Sequence, residues 1–144
     1  IKKYIPLINK YINSYLSQMN FFAKFELNEN FEETIKSRYH DTFSYASFSE
    51  GEKARLNLSI LLAWRMVAKH RNSASTNILL LDEIGDSSLD SEGVENTLKI
   101  LKTLVEDTNI FIISHKIDQQ SDFFDNIIRV KKTKNFSSME KKND

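Results

Sequence analysis

Residues 78–83 read Ile78-Leu79-Leu80-Leu81-Asp82-Glu83, and this stretch decides the fold class. Its apolar run without polar alternation is typical of a strand that is covered on both faces of a parallel sheet. A second such run spans 110–113, and between the two lies a segment with helical spacing of its apolar residues, Val94, Leu98, Leu101 and Val105. Strand, helix and strand in this order predict a right-handed crossover and an α/β fold.

The crossover is preceded by a predicted helix of about 20 residues that begins with a capping pattern. Its opening reads Phe48-Ser49-Glu50-Gly51-Glu52, and Ser49 followed three residues later by Glu52 forms a capping box. Gly51 lets backbone approach a ligand closely, and the amides and dipole of a helix start favour a phosphate. Most such boxes serve local structure alone, so the opening does not establish a phosphate site by itself.

Two acidic side chains stand where the first strand ends. Asp82 and Glu83 lie at its carboxyl end, the position at which open parallel sheets place their ligands. In nucleotide hydrolysis an acid here holds Mg²⁺, and the next acid polarises the attacking water. Acidic residues after a buried strand are equally common as solvent-exposed caps of the strand. Whether Asp82 and Glu83 belong to a nucleotide-hydrolysing site therefore depends on other residues.

Two further segments follow in a fixed order. Ser88-Leu89-Asp90 leads into the crossover helix, with Asp90 or Ser91 as its cap. Ser114-His115 follows the second strand, and adjacent parallel strands would bring His115 to the same sheet edge as Glu83. A single histidine after a strand is more often structural. The four weak signals in one order nevertheless indicate a nucleotide-hydrolysing site.

Half of such a site is missing from the sequence. No Gly-x-x-x-x-Gly-Lys-Ser/Thr loop occurs, and the three glycines, at positions 51, 85 and 93, cannot assemble one. We therefore expect that this chain does not bind a nucleoside triphosphate tightly on its own.

The amino-terminal residues have the spacing of a coiled-coil seam. Steps of four and three residues separate Ile1, Ile5, Ile8, Ile12, Tyr15 and Met19. An ordinary amphipathic helix packed on its own domain is the alternative interpretation. Pro6 predicts that the helix kinks or begins near that position.

Local patterns elsewhere predict short elements. Residues 21–27 and 31–36 alternate between apolar and polar side chains, which predicts two paired strands around a turn at 28–30. The signal over 39–47 fits a strand or a loop, and the polar stretch 71–76 predicts a loop. We further predict a short helical segment at 119–123, a strand at 126–130 and a frayed charged terminus from 131 onward.

Composition is that of one ordinary globular domain: 144 residues, 40% hydrophobic and 28% charged. Twenty basic and twenty acidic side chains give zero formal charge, so no general attraction to nucleic acid or acidic lipid is expected. The absence of cysteine excludes disulfides and cysteine-ligated metals. Apolar runs fall far short of the roughly 20 residues that span a bilayer. Since the chain begins with Ile1 and shows no leader pattern, we expect a cytoplasmic piece of a longer protein.

The order of these segments resembles that of the ABC-type ATPases. The matching motifs are a signature loop at 48–52, a Walker B strand at 78–83, a D-loop at 88–90 and a switch histidine at 115. Within that superfamily the chain resembles the SMC-like repair ATPases of the SbcC family, because residues with coiled-coil spacing and a predicted strand pair precede the signature loop. The sequence of residues 48–57, together with Trp64-Arg65 further along the chain, is similar to that of the phage members of this family. In this family the phosphate loop lies in a distant amino-terminal segment.

The resemblance implies that the signature loop serves a second subunit. Ser49 and Gly51, with Glu52 in the same loop, would bind the γ-phosphate of an ATP held by the opposing head. Asp90 would belong to the loop that couples the two sites. Glu50 departs from the glycine found in many members, and we expect its carboxylate to point outward because it would repel a triphosphate.

The resemblance also implies the roles of the residues at the sheet edge. Asp82 would serve the Mg²⁺ site, Glu83 would activate water, and His115 would contact the γ-phosphate. Ile84 follows the catalytic acid where proline is frequent, which is a second departure from the family pattern.

The implied architecture is the carboxyl-terminal lobe of an ABC-type ATPase head, a mostly parallel sheet flanked by helices with a coiled-coil stub. Residues 1–20 would end the coiled coil, 21–130 would form the lobe, and 131–144 would be a charged tail. The implied cofactors are ATP and Mg²⁺. The implied partners are the chain's own amino-terminal ATPase segment, a second head in a homodimer, a metal-dependent nuclease subunit and double-stranded DNA, with no membrane. Candidates for DNA contact are Lys53, Arg55 and Lys69, although a solvated helix face is the commoner role.

The implied function is ATP hydrolysis in DNA repair or recombination, with heads that dimerise around ATP and control a nuclease acting on DNA ends. Three alternatives remain open. The same order of motifs fits a chromosome-organising SMC or a RecN-like ATPase. It fits less well the nucleotide-binding domain of an ABC transporter, which has no coiled-coil spacing of residues before its signature loop. A noncatalytic module is disfavoured because Asp82, Glu83 and His115 are all retained.

Overall fold

The computed structural model describes residues 2–36, 42–71, 76–84, 89–115 and 122–141. It consists of two compact units, Ile1–Ser114 and His115–Asp144. The first unit holds a helical layer, a small antiparallel sheet and a parallel strand pair. The second contains a hairpin.

Helix α1 (Ile5–Gln18) follows a short 3₁₀ turn at Lys2–Tyr4. Pro6 lies in its first turn, where a missing backbone donor costs nothing, so the helix begins there as predicted. Five residues of the predicted seam are buried within the chain, namely Ile5, Ile8, Ile12, Tyr15 and Met19, and Ile1 lies outside the described residues. The structure therefore favours the amphipathic helix over the coiled-coil seam, since the core already uses these side chains.

Strands β1 (Lys24–Leu27), β2 (Glu33–Lys36) and β3 (Thr42–Phe43) form an antiparallel sheet in that order. The strand pair expected over 21–36 is confirmed, and β3 lies inside the stretch for which a strand or a loop was expected. The carbonyl of the Asn28 side chain accepts hydrogen bonds from the amides of Asn30 and Glu32, both at 2.9 Å, and shapes the turn.

Two asparagines of α1 occupy the outer edge of β1. The side chain of Asn13 donates to the carbonyl of Phe25 at 2.7 Å and accepts from its amide at 2.9 Å. Asn9 forms the same pair of bonds with Leu27, at 2.9 and 2.8 Å. These amides pair with β1 as a neighbouring strand would, so the edge is satisfied by a helix.

Helix α2 (Glu50–His70, 21 residues) is the long helix expected from the sequence. It carries buried side chains on two sides. Leu56, Ala63 and Val67 join a hydrophobic cluster with α1 and the antiparallel sheet, whereas Leu58 and Leu62 join a second cluster with the parallel strands. The helix therefore lies between the two sheets.

Strands β4 (Ile78–Asp82) and β5 (Asn109–Ile113) pair in parallel, and α3 (Ser91–Lys102) connects them, which confirms the predicted crossover. Leu79 and Leu81 face the core and contact a cluster that includes Ile100 and Leu101. The opposite face is open, and its exposed fractions are 55% at Ile78, 63% at Leu80, 55% at Phe111 and 50% at Ile113. The expectation that this strand is covered on both faces is wrong within the described chain, because helices cover only one face.

In the second unit, β6 (Ile128–Thr133) and β7 (Phe136–Lys141) form an antiparallel hairpin. Lys134, with φ of 57°, supplies the left-handed residue of its turn. The strand expected at 126–130 is confirmed in part. The frayed terminus is wrong for 131–141, because cross-strand pairs such as Lys131 with Glu140, at 2.6 Å, order these residues. Most of the helical segment predicted at 119–123 lies outside the described residues.

Candidate functional site

The start of α2 has the predicted capping box. Ser49 is the N-cap, and its hydroxyl oxygen accepts from the amide of Glu52 at 3.3 Å. The Glu52 carboxylate accepts in return from the Ser49 amide and hydroxyl, both at 2.8 Å. Ser49 and Glu50 are exposed, so this helix start is open at the surface of the unit. Glu52 holds Ser49 in place through these bonds, and the part of Glu52 in phosphate binding stays a prediction.

Glu50 points outward, as expected from its charge. Its side chain is 77% exposed, and its carboxylate accepts a hydrogen bond from Lys53 at 2.7 Å. This hydrogen bond is the main reason that the pKa of Lys53 lies above its ordinary value. The negative charge at position 50 is therefore neutralised beside the helix start.

Asp82 and Glu83 end β4 as predicted. Asp82 is the last residue of the strand and is exposed, and Glu83 is exposed next to it. Glu83 has φ of 53°, a left-handed conformation, and its amide donates to the carbonyl of Ile113 at 2.9 Å. A non-glycine residue in this region costs on the order of 1 kcal/mol or more, and such strain is typical of functional positions. The backbone thus turns away from the strand at the predicted catalytic acid.

The described residues contain no group of three or more His, Cys, Asp or Glu side chains that could hold a metal by themselves. Magnesium in nucleotide sites is usually held by one or two carboxylates together with substrate phosphates and water. The single exposed carboxylate of Asp82 fits that arrangement.

Asp90 is the N-cap of α3, as predicted, and its carboxylate accepts from the amide of Gly93 at 2.9 Å. The same oxygen accepts from Nη2 of Arg55, on the first turns of α2, at 2.6 Å. Sequence reasoning missed this contact, because no local pattern links residues 35 positions apart. The structure thus joins α2, called the signature helix below because it begins in the predicted signature loop, to Asp90 at the end of the predicted D-loop.

All three basic residues proposed for DNA contact have carboxylate partners. Lys53 pairs with Glu50, Arg55 with Asp90 and Lys69 with Asp107. None of them presents an uncompensated charge, which favours the alternative that they serve the solvated helix surface.

Ser88 and His115 are the remaining residues of the predicted motifs. Ser88 lies outside the described residues. His115 is exposed, begins the second unit and follows the end of β5 by two positions. Its approach to Glu83 stays a prediction.

Within the described residues, no helix is long or apolar enough to span a bilayer.

No protein-family model matches the chain. It is similar to exonuclease subunit 2 of Enterobacteria phage T4, with 47% identity over 139 residues that make up 96% of this chain and 24% of that protein. Exonuclease subunit 2 of Escherichia phage RB69 is 49% identical over 116 residues, 81% of this chain and 20% of that protein. The chain thus spans about a quarter or less of the length of these relatives.

Solved structures of SMC ATPase heads share the fold. A structure from a study of ATP-driven dimerisation and DNA-stimulated activation of SMC ATPases has a TM-score of 0.77 and 19% identity, over 98% of this chain and 86% of that one. The SMC head domain of Thermotoga maritima has a TM-score of 0.70 and 22% identity, over 99% of this chain and 49% of that one. The expected α/β fold is confirmed, because these SMC ATPase heads share it.

Proposed function

Because the chain is homologous to part of the phage exonuclease subunit 2 proteins and has the fold of an SMC ATPase head, we propose that it is half of an ATP-hydrolysing head associated with a nuclease. The observation that carries this proposal is the pairing of an exposed, serine-capped helix start with an acid-tipped parallel strand in that fold. ATP hydrolysis would open and close the heads and thereby control a nuclease at DNA ends.

The other half of the head would come from the protein's own amino-terminal segment. The open face of the β4–β5 pair presents four large apolar side chains, each at least half exposed: Ile78, Leu80, Phe111 and Ile113. Parallel strands are normally covered on both faces, and two strands alone are marginal in water. The relatives are about four times longer than this chain, so they have the residues to supply the cover and a phosphate loop.

A second head would complete the nucleotide site. Ser49 lies at the exposed start of α2, where amides and the helix dipole face solvent. Such a surface can meet the γ-phosphate of an ATP bound to another copy. Loss of that phosphate on hydrolysis would remove the contact, so the ATP-bound state favours the closed dimer.

The acids at the end of β4 would carry the chemistry. Asp82 would hold Mg²⁺, which neutralises phosphate charge when bound. Glu83 would orient and deprotonate the attacking water, and His115 would contact the γ-phosphate. The exposure of Asp82 and Glu83 is consistent with these roles.

Replacing the general base tests this proposal. In the full-length protein that carries this segment, we expect Glu83→Gln to lower ATP turnover by on the order of 10² or more and to trap an ATP-bound dimer. Glu95→Gln, an equivalent change at an exposed glutamate of α3 that pairs with Lys99, should retain wild-type turnover. Turnover and dimerisation would be measured by phosphate release and light scattering. Wild-type turnover in Glu83→Gln would remove the role given to this residue.

The nuclease and DNA partners rest on the names of the relatives. Those names favour a nuclease-associated ATPase over a chromosome-organising SMC protein. Affinity purification from infected cells should recover a metal-dependent nuclease subunit, and recovery of a membrane permease instead would contradict the proposal.

A further inference from the structure

The contact between Arg55 and Asp90 joins two elements that both face the proposed nucleotide site. Arg55 lies on the first turns of α2, a short distance along the chain from Ser49, and Asp90 caps α3 at the end of the D-loop. We propose that Arg55 is a positioning residue that fixes the start of α3 to the start of the signature helix. The inference rests on the proposed function, because it concerns how the two parts of that site keep their relative position.

The environment of this pair differs from that of an ordinary surface salt bridge. The Arg55 side chain is only 16% exposed, and its Nη2 lies 2.6 Å from the Asp90 carboxylate. Its Nε is buried and has no hydrogen-bond partner among the described residues. Among the described contacts, the bond to Asp90 is the one that orients the guanidinium, and it joins a largely buried arginine to a carboxylate whose side chain is 66% exposed.

Gly93 makes this close approach possible. A Cβ built at this position would lie 2.7 Å from Arg55 Nη2 and 2.7 Å from Asp90 Oδ1. Any other residue would therefore require the guanidinium, the carboxylate or both to move from their present positions. Glycine inside a helix is ordinarily a cost to stability, so its presence in the first turn of α3 is explained by the contact that it permits.

The first turn of α3 is also held from the side of α1. The side chain of Asn20, directly after α1, donates to the Glu92 carboxylate at 2.6 Å. Phe21 contacts Phe48 of the signature loop edge to face, with ring centroids 5.7 Å apart. Together with the bond between Arg55 and Asp90, these contacts connect the end of α1, the start of α2 and the start of α3.

This arrangement predicts a specific kinetic effect. In the full-length protein, Arg55→Met should lower kcat about 5- to 10-fold and reduce the Hill coefficient for ATP towards one, with the KM for ATP changed less than about twofold. Arg55→Lys should recover part of the loss, since lysine keeps the charge but not the planar fork. Lys99→Met, which breaks an exposed ion pair within α3, is the matched control and should behave as wild type.

Gly93→Ala separates positioning from stability. It leaves both charges present but displaces them. A weaker Asp90 cap lowers stability, and the higher helix propensity of alanine compared with glycine offsets this cost by a similar amount, so thermal stability should change little while kcat falls as in Arg55→Met. Amide hydrogen exchange of residues 90–95 should also accelerate in Arg55→Met, while that of 78–82 should not.

The outcomes distinguish the inference from the function that it rests on. Wild-type kcat and cooperativity in both Arg55→Met and Gly93→Ala, in an enzyme that Glu83→Gln inactivates, would overturn the positioning role alone. Unchanged exchange at 90–95 in Arg55→Met would overturn the physical link, whatever the ATPase activity. A wild-type protein without ATPase activity would overturn the proposed function and this inference with it.

Discussion

Ser49 illustrates how one side chain can serve both folding and ligand binding. Its hydroxyl completes a reciprocal cap with Glu52 at an exposed helix start. Loss of an N-cap costs about 1 kcal/mol, and the lost bonds of the capping box add to that cost. The same hydroxyl is the group that would reach the γ-phosphate, so stability and binding must be separated by choice of substitution.

Ser49→Asp tests the binding role. Aspartate can cap the helix, but it cannot donate to Glu52 as the Ser49 hydroxyl does, so the free energy of unfolding should fall by about 1 kcal/mol, too little to unfold the protein. The added negative charge should repel the γ-phosphate and abolish ATP-driven dimerisation of the full-length protein. Ser49→Ala should lose both about 1 kcal/mol and the dimer. Urea denaturation and light scattering measure the two quantities, and normal dimerisation of Ser49→Asp would contradict the assignment.

Tyr15 gives a pH dependence that can be measured. Burial, with a smaller effect of Tyr11, raises the pKa of Tyr15 above its ordinary value of 10.0. The unfolded chain therefore loses the proton first, so this contribution to stability is complete below pH 10 and is lost as the pH rises through the folded pKa. The raised pKa of Lys53 acts with the same sign above 10.5.

We expect the free energy of unfolding of Tyr15→Phe to fall less steeply than that of wild type as the pH rises above 10.0. Urea titrations at a series of pH values would check this. Parallel curves for the two proteins would show that Tyr15 does not titrate differently on unfolding.

At this scale, capping was predictable because it depends on residues three positions apart. Ser49 with Glu52 and Asp90 with Gly93 were both within reach of the sequence. The partner of Arg55 was not, because tertiary packing brings it from 35 positions away. The left-handed Glu83 was also not predictable, since glutamate shows no preference for that conformation.

Among the elements, α1 and β1 are joined by side chains in place of a further strand. Asn13 satisfies both the amide and the carbonyl of Phe25, whose side chain is 3% exposed. Removal of the amide leaves two backbone groups in a partly buried position, and each such group costs about 1–3 kcal/mol.

Asn13→Ala should therefore lower the free energy of unfolding by about 2–6 kcal/mol. Asn57→Ala is the matched control, because Asn57 bonds only to the exposed hydroxyl of Tyr45 among the contacts described, and should change stability by less than about 0.5 kcal/mol. Denaturation monitored by circular dichroism provides both values. Equal effects of the two substitutions would show that the edge contacts of Asn13 contribute nothing special.

The long helix and the crossover were predictable because their periodicity extends over many residues. The β6–β7 hairpin was missed because its charges resemble those of a solvated tail. Pairs such as Lys131 with Glu140 become visible only when the strands are placed side by side.

For the whole molecule, the open face of β4 and β5 is the feature that most needs a partner. An uninterrupted apolar run predicts a covered strand, and the sequence cannot say whether the cover lies in the same segment. Here helices cover Leu79 and Leu81, while Ile78 and Leu80 stay exposed. The α/β fold was thus predictable from the sequence pattern, whereas the division of the head between two segments is a proposal that comes from the family resemblance.

Leu80→Glu tests whether the amino-terminal segment supplies the cover. Leu80 is 63% exposed, so the charge should be tolerated locally but should weaken binding of a co-expressed amino-terminal segment by about 10-fold or more. Leu61→Glu, at an α2 residue that is 46% exposed, should bind normally. Co-purification with titration would measure the difference. Equal binding by both variants would mean that this face is covered in some other way.

Helix α2 has a thermodynamic consequence that follows from its two buried sides. If either hydrophobic cluster melted, one of the two apolar sides of α2 would be exposed to water, because Leu56 belongs to one cluster and Leu62 to the other. The antiparallel and parallel layers of the first unit should consequently unfold as a single foldon. For the same reason, if nucleotide binding rotated α2, both layers would move with it. The carboxyl ends of β4 and β5 would then shift together with the start of α2.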